Sequence, residues 1–118
     1  MCFTEEHRKC ETDPANSEAS LGEGFYIYCY FPNQTIDACL WNHCYRPGMC
    51  NTCQTGPTVS TSCNVGWTSW YRTDGCGLFI KSGLEYDDFG MWYLDVIGQP
   101  QNSLGIFRAR REIQVKQT

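Results

Sequence analysis

Nine cysteines in a chain of 118 residues constrain this sequence more than any other feature. A reducing compartment rarely keeps so many thiols unless they bind metal, whereas small secreted domains use such a density to crosslink a modest core. Hydrophobic residues make up 42% of the chain, which is enough to form one core in a domain of this length. We therefore expect a single extracellular domain over residues 1–118 that is stabilised by disulfides.

Short alternating segments point to β-structure. Residues 24–31 place Phe25, Ile27, Cys29 and Phe31 on one face and three tyrosines on the other. Comparable strand-like segments lie at 36–41, 67–71, 76–80, 91–97 and 106–115, and turn residues separate them. No helical period of similar length competes with these segments. The pattern predicts an all-β fold in which two antiparallel sheets pack as a sandwich.

Two regions fall outside that strand pattern. Residues 1–20 are polar and carry Cys2 and Cys10, so we interpret them as an N-terminal arm, either irregular or a short edge strand, tied down by a bridge. Residues 43–64 are rich in Cys, Gly, Pro, Thr and Ser and are interpreted as a cysteine-rich insert that its own bridges hold together. Residues 98–103 are predicted to form a hairpin loop.

The insert also allows a zinc interpretation. Cys50 and Cys53 have the spacing of a ligand pair, and further candidate ligands are His43, Cys44 and Cys63. A second close pair is absent, because Cys63 stands alone ten residues after Cys53. Disulfides within the insert are therefore favoured, and no metal or other cofactor is expected.

The spacing of several core positions resembles that of the immunoglobulin superfamily. Cys29 is followed twelve residues later by Trp41, as the strand B cysteine of that family is followed by the strand C tryptophan. A later segment resembles strand E running into strand F, and its matching positions are Leu78, Ile80, Leu84, Asp88, Gly90, Trp92 and Leu94. The resemblance, to variable- or intermediate-type domains of the invertebrate kind with extra disulfides, implies an immunoglobulin-like sandwich. Its implied core residues are Cys29, Trp41, Leu78, Asp88, Trp92 and Leu94.

Two departures from the family pattern affect the core. Trp92 stands where the family has a tyrosine, so the hydroxyl hydrogen bond of that corner is either missing or replaced by an indole N–H. Leu94 stands where the family has a cysteine, so Cys29 lacks its usual partner. Similarity to domains with an extra pair implies a Cys39–Cys76 disulfide between the two sheets. Since nine is odd, at least one cysteine is unpaired within the chain; Cys29 is the first choice and Cys2 the alternative.

The functional expectation is binding rather than catalysis. The two histidines, His7 and His43, accompany no recognisable nucleophile, and no glycine-rich phosphate loop is present, so we expect no enzyme. A net charge of −4 argues against nucleic acid as a partner, and no apolar stretch of about 18 residues suggests a membrane span. We expect an ectodomain of a cell-surface recognition or adhesion receptor, or a secreted recognition protein, that binds a protein ligand or receptor and could form a homodimer. The alternative is a small disulfide-rich secreted inhibitor or effector that acts alone.

The last hairpin is the predicted contact surface. The outward side of its final strand carries Ile106, Arg108 and Arg110, a mixture of apolar and basic side chains typical of interfaces. The preceding loop region adds Gln99, Gln101 and Asn102. The alternative interpretation is a solvated edge strand whose arginines prevent aggregation.

Aromatic residues form a second candidate surface. Trp67 and Trp70 are an odd number apart, so in a regular strand one enters the core and the other faces outward. Tyr26, Tyr28 and Tyr30 form another outward row. Either the arm or the insert covers these rings, or a partner does.

A glycosylation motif lies between the first two strands. Asn33-Gln34-Thr35 is an N-glycosylation acceptor sequence in a turn, so Asn33 is the predicted attachment site.

Overall fold

Two β-sheets account for most of the described chain in the computed structural model, which covers residues 10–64, 66–80 and 83–118. Their strands are β1 (Cys10–Asp13), β2 (Glu18–Ala19), β3 (Phe25–Tyr30), β4 (Gln34–Arg46), β5 (Met49–Thr55), β6 (Ser62–Cys63), β7 (Trp67–Arg72), β8 (Gly75–Ile80), β9 (Gly90–Pro100) and β10 (Phe107–Gln117). Within the described ranges the helical segments are two 3-10 turns, Ala15–Ser17 and Tyr86–Asp88. The all-β prediction is confirmed.

The strands divide between a four-stranded and a six-stranded sheet. The four-stranded sheet has the order β1-β3-β8-β7, and the six-stranded sheet has the order β2-β10-β9-β4-β5-β6. Neighbouring strands are antiparallel, except that the short β2 runs parallel to β10. The two sheets pack face to face around a shared apolar core.

Strand alternation produces this core. Every second residue of β9 points between the sheets, so Trp92, Leu94 and Val96 are buried while their neighbours are only partly covered. Trp41 on β4 is 1% exposed and lies directly across from Leu94. Apolar residues on both sheets complete the cluster, including the predicted core positions Cys29 and Leu78. Burial of a large apolar side chain of this kind stabilises a fold by about 1.5–3 kcal/mol.

The predicted insert is part of the six-stranded sheet, which corrects the sequence interpretation. Strand β4 continues to Arg46, a turn leads into β5, and β6 pairs with β5. Cys53 and Thr55 on β5 are buried, so this region contributes to the core. Its frequent polar residues obscured the alternation, because one face of these strands is exposed.

The predicted arm contains two strands that divide between the sheets. β1 pairs with β3 in the four-stranded sheet, and β2 pairs with β10 in the six-stranded sheet. The chain crosses between them at the 3-10 turn Ala15–Ser17, where Asn16 and Ser17 have positive φ angles. Residues 1–9 lie outside the described ranges.

Four disulfides join eight cysteines of the described residues: Cys10–Cys29, Cys39–Cys76, Cys44–Cys50 and Cys53–Cys63. The bridge implied between Cys39 and Cys76 is present and links the six-stranded sheet to the four-stranded sheet. The expectation that Cys29 is unpaired is wrong. Cys29 pairs with Cys10, directly opposite it on β1, which is a short strand next to β3. Cys2, the alternative, lies outside the described residues.

The loop of the last hairpin lies later in the chain than predicted. β9 extends to Pro100 and pairs with β4 as far as Gln34, so Gln99 belongs to a strand. The connection to β10 therefore spans residues 101–106.

Candidate binding surface

The outward face of the six-stranded sheet carries the predicted binding residues Arg108 and Arg110. Cross-strand register builds it in rows, one of which joins Leu40 on β4, Asp95 on β9 and Arg110 on β10. The next row toward the loop places Ile97 beside Arg108. These side chains face outward because their chain neighbours, such as Leu94 and Val96, occupy the core. We call this region the β4–β9–β10 face.

Arg110 is held by its neighbours on this face. Its Nε donates to Asp95 Oδ1 at 2.9 Å and its Nη2 donates to Asp95 Oδ2 at 3.3 Å. The guanidinium also lies 4.6 Å from the centre of the Tyr93 ring. The hydrogen bonds and the negative charge of Asp95 raise the pKa of Arg110. Arg110 is therefore an exposed cation whose charge is already partly matched within the chain.

Arg108 differs from Arg110 in this respect. Its side chain is exposed, and it makes no ion pair or hydrogen bond with any residue in the described ranges. Together with Leu40, Ile97 and Arg110, it borders a shallow depression of about 360 Å³ on the β4–β9–β10 face. Arg108 is thus available to an acidic group on a partner.

The loop at the end of this face has a fixed start. The Gln101 backbone N–H donates to Asn33 O at 3.0 Å, and its Nε2 donates to Gln34 O at 3.0 Å. These bonds hold the first residue of the loop against the turn between β3 and β4. Asn102 is exposed in the same loop, and the Gln99 amide donates to Asp37 Oδ2 at 3.4 Å.

The tip of the loop carries two exposed apolar side chains. Leu104 is 101% exposed and Ile106 is 70% exposed. Gly105 between them has a φ of +128°, a conformation that suits glycine, and no atom lies within 4 Å of the position its Cβ would take. Leu104 is absent from the predicted binding residues, because the sequence predicts a loop that ends at Ser103. The signal that could have found it is an isolated leucine between Ser103 and Gly105, where a turn leaves it nothing to pack against.

The two tryptophans of β7 face opposite ways, as their spacing predicts. Trp67 is 8% exposed and packs with its ring centre 4.8 Å from that of Trp92, so it is unavailable to a partner. Trp70 lies on the outer face of the four-stranded sheet, remote from the β4–β9–β10 face, with its ring centre 5.5 Å from that of Tyr26. The proposed binding role of Trp67 is therefore wrong, and Trp70 belongs to a different surface.

Strand-to-strand contacts cover the tyrosine row. Tyr28 is 5% exposed and lies between Tyr30 and Trp70, while the guanidinium of Arg72 sits 5.7 Å from the centre of its ring. Burial and then the charge of Asp74 raise the pKa of Tyr28 to about 12. Trp70 and Arg72 belong to β7 of the same sheet. From the described part of the predicted arm, Glu11 Oε2 accepts a hydrogen bond of 3.3 Å from the Tyr30 hydroxyl.

Two hydrogen bonds hold the corner of the chain just before β9. Trp92 Nε1 donates to the backbone oxygen of Asp88 at 2.8 Å, so an indole N–H makes the bond that a tyrosine hydroxyl makes in the family pattern. The Asp88 carboxylate accepts a bond of 2.8 Å from the Glu85 backbone N–H. Asp88 and Trp92, both expected in the core, therefore hold this corner through hydrogen bonds as well as through packing.

His43 contributes to the same corner. Its ring is 1% exposed and stacks on Trp92, with ring centres 4.6 Å apart. Nδ1 lies 2.8 Å from Met91 O, and Nε2 lies 2.6 Å from Asp87 O. His43 is a candidate zinc ligand by sequence, whereas in the structure its contacts connect β4 to residues on both sides of Asp88.

The zinc interpretation does not fit the observed cysteines. Cys44, Cys50, Cys53 and Cys63 are consumed by two disulfides. Among the described residues there is no group of three or more side chains of the metal-binding types.

Asn33 lies exposed at the loop end of the sandwich. Its φ of +69° places it in the tight turn between β3 and β4, and its backbone oxygen accepts the Gln101 bond. The predicted glycosylation site therefore neighbours the loop of residues 101–106.

Comparison with protein-family models finds no match, and comparison with curated protein sequences finds none either. Within the described ranges, no helix has the length and apolar character needed to cross a bilayer. Four disulfides are typical of proteins from oxidising compartments, including the extracellular space.

Proposed function

We propose that this chain is an extracellular protein-binding module with an immunoglobulin-like fold, from a cell-surface recognition receptor or a secreted recognition protein. It acts by binding a protein partner, without catalysis, through the β4–β9–β10 face and the loop of residues 101–106. The observation that carries this proposal is the exposure of Leu104 and Ile106 close to Arg108, which has no ion-pair or hydrogen-bond partner among the described residues.

The strand order supports the immunoglobulin-like assignment. In variable-type domains one sheet contains strands A, B, E and D, and the other contains G, F, C, C′ and C″. When letters are assigned in chain order with β1 and β2 sharing strand A, the four-stranded sheet has the order A-B-E-D. The six-stranded sheet then has the order A-G-F-C-C′-C″. The indole hydrogen bond of Trp92 at the expected corner is consistent with this assignment.

Energetics support a contact at the loop tip. A folded chain gains nothing from a leucine held fully in water, whereas transfer of that side chain into a partner's pocket contributes about 1.5–3 kcal/mol. The hydrogen bonds of Gln101 fix the start of the loop, so less conformational freedom is lost when a partner binds. Arg108 next to this apolar tip favours a partner whose pocket is bordered by acidic side chains.

The proposal is tested with the chain displayed as a tetramer, which raises the apparent affinity for weak partners. The wild-type tetramer is screened against an arrayed set of extracellular proteins and against intact cells. We expect specific binding to at least one protein. The double variant Leu104→Ser/Ile106→Ser should reduce this binding about tenfold or more and leave the unfolding midpoint unchanged.

A matched control separates this surface from general hydrophobic adhesion. Tyr86 is 71% exposed in the turn at the opposite end of β9, so Tyr86→Ser removes a comparable apolar surface elsewhere. Binding that falls equally in both variants, or in neither, contradicts the site. If the wild-type tetramer binds no protein or cell, the proposed function itself is wrong.

A further inference from the structure

The four disulfides of the described chain differ sharply in solvent access. Cys39 and Cys76 are both 0% exposed. The Cys10–Cys29 and Cys53–Cys63 bridges each have one buried cysteine, Cys29 and Cys53 respectively. Only the Cys44–Cys50 bridge has both residues exposed. A reagent in solution therefore reaches this sulfur pair without any opening of the fold.

The Cys44–Cys50 bridge sits near the end of the β4–β5 hairpin. The two residues are directly opposite each other in the strand register, six apart in sequence. Because alternation turns Trp41 and His43 inward, Cys44 points outward with Asn42, whose amide lies 3.8 Å from its sulfur.

Loss of this bond should cost the fold little. A disulfide that closes a loop this short restricts the unfolded chain less than one that closes a long loop. The hairpin is also held by backbone pairing on both sides of the bridge, through His43 with Asn51 and Arg46 with Met49. The Cys39–Cys76 bridge, by contrast, spans 37 residues and joins the two sheets across the core.

We propose that Cys44–Cys50 is a site of thiol–disulfide exchange, which small thiols of the glutathione class open in the native protein while the other described bridges stay closed. A thiolate attacks one sulfur of the pair, the S–S bond breaks, and the leaving cysteine sulfur takes up a proton. A second thiol then resolves the mixed disulfide. The overall reaction converts one protein disulfide and two small thiols into two cysteine thiols and one oxidised small-molecule disulfide.

The site is independent of the proposed partner-binding function. Its reactivity depends on access to Cys44 and Cys50, which belong to the hairpin of β4 and β5 and not to the tip formed by Leu104 and Ile106. Reduction converts the inert Cys44–Cys50 bridge into two solvent-exposed thiols, which can form new disulfides or accept thiol modifications.

The test treats the natively folded chain with reduced glutathione for increasing times and blocks new thiols with one alkylating reagent. The remaining disulfides are then reduced under denaturing conditions and labelled with a second reagent, so that peptide mass mapping scores every cysteine separately. We expect Cys44 and Cys50 to acquire the first label about tenfold or more faster than any other bridged cysteine. A transient glutathione adduct should appear on one of these two residues.

Two variants control for unfolding. Cys44→Ser/Cys50→Ser should keep the near-UV circular dichroism of the wild type and lose the fast labelling phase. Cys53→Ser/Cys63→Ser should retain the fast phase. The proposal is overturned if Cys10–Cys29 or Cys53–Cys63 reacts as fast as Cys44–Cys50, or if all bridges open together in a single cooperative step.

Discussion

The outer faces of the two sheets differ in how far their side chains are packed against, or paired with, other residues of the described chain. On the four-stranded sheet, Trp70 packs beside Tyr26 and Tyr28, and the Arg72 guanidinium lies near the Tyr28 ring. On the six-stranded sheet, Arg108 has no partner in the described chain, and the adjoining loop leaves Leu104 fully in water. An aromatic-rich surface is therefore not automatically a binding surface, because its rings can bury one another. Groups that lack an internal partner are the better indication of an external one.

The packing of the aromatic face can be broken by one methyl group. Gly77 lies where an added Cβ would overlap the indole of Trp70. We expect Gly77→Ala to displace Trp70 and to lower the free energy of unfolding by about 1–3 kcal/mol, measured by chemical denaturation. At Gly24 an added Cβ meets Phe79 at an ordinary 3.5 Å, so Gly24→Ala should change stability by less than about 0.5 kcal/mol. Equal effects of the two substitutions would mean that Trp70 is not fixed in its packing.

The role of Arg108, which has no charge partner among the described residues, is tested by reversing its charge. Arg108→Glu should weaken binding of the partner found in the tetramer screen about tenfold, mainly through slower association, while the unfolding midpoint stays constant. The effect should shrink at high salt because the pair would lie at an exposed rim. Surface plasmon resonance at two ionic strengths measures both quantities.

Arg110 provides the internal comparison for Arg108. Its guanidinium already binds Asp95, so Arg110→Glu would bring two carboxylates together and change the face itself. Reversing Arg108 and Arg110 together would therefore mix two effects, and the single Arg108 variant is the cleaner test. Normal binding by Arg108→Glu would remove this residue from the contact surface.

The buried hydroxyl of Tyr28 makes the aromatic face sensitive to high pH. Burial and then the charge of Asp74 raise its pKa to about 12 in the folded chain, above the ordinary value near 10. Between these values the unfolded state loses the proton and the folded state retains it. The free energy of unfolding should therefore fall as the pH rises from about 10 to about 12.

Tyr28→Phe isolates that contribution. The Tyr28 hydroxyl is buried without a hydrogen-bond partner among the described residues, so its removal should change stability at pH 7 by less than about 1 kcal/mol. The difference in unfolding free energy between wild type and variant should then move in favour of the variant above pH 10. Parallel pH profiles for the two proteins would contradict the assigned titration.

The sequence was most informative where one face of a strand is fully buried. The alternation in β3 and β9 predicted both strands and their inward residues, and the resemblance placed Trp41 and Leu94 in one core. It failed for β5, whose outward face is polar and exposed, and for Cys29, whose partner lies on a strand of only four residues. A short edge strand has too few residues to show an alternating pattern in the sequence. Its formation depends on pairing with β3, which the sequence does not reveal.

The candidate site was predicted only in part for a related reason. Arg108 and Arg110 could be placed outward from the alternation of β10. The pairing of Arg110 with Asp95 could not be predicted. It depends on the register between β9 and β10, and that register depends on where their connecting loop begins and ends. Leu104 gained its significance only when β9 was found to continue to Pro100, which leaves residues 101–106 as the whole loop.

The smallest effect on the fold is expected at Asn33, in the turn between β3 and β4 that contacts the loop of residues 101–106. Asn33 is exposed, and its backbone, rather than its side chain, holds Gln101, so a glycan can be attached without loss of that hydrogen bond. We expect the chain secreted from a glycosylating eukaryotic host to carry a glycan that peptide-N-glycosidase removes, and Asn33→Gln to lack it. Stability should differ by less than about 0.5 kcal/mol between the two forms.

The glycan would stand beside residues 101–106. Its removal should therefore speed partner association if the loop tip is the contact, and should leave association unchanged if the partner binds only the strands. An unmodified Asn33 in the secreted chain would exclude this site, and the same rate measured on Asn33→Gln checks that the glycan, not the asparagine, is responsible.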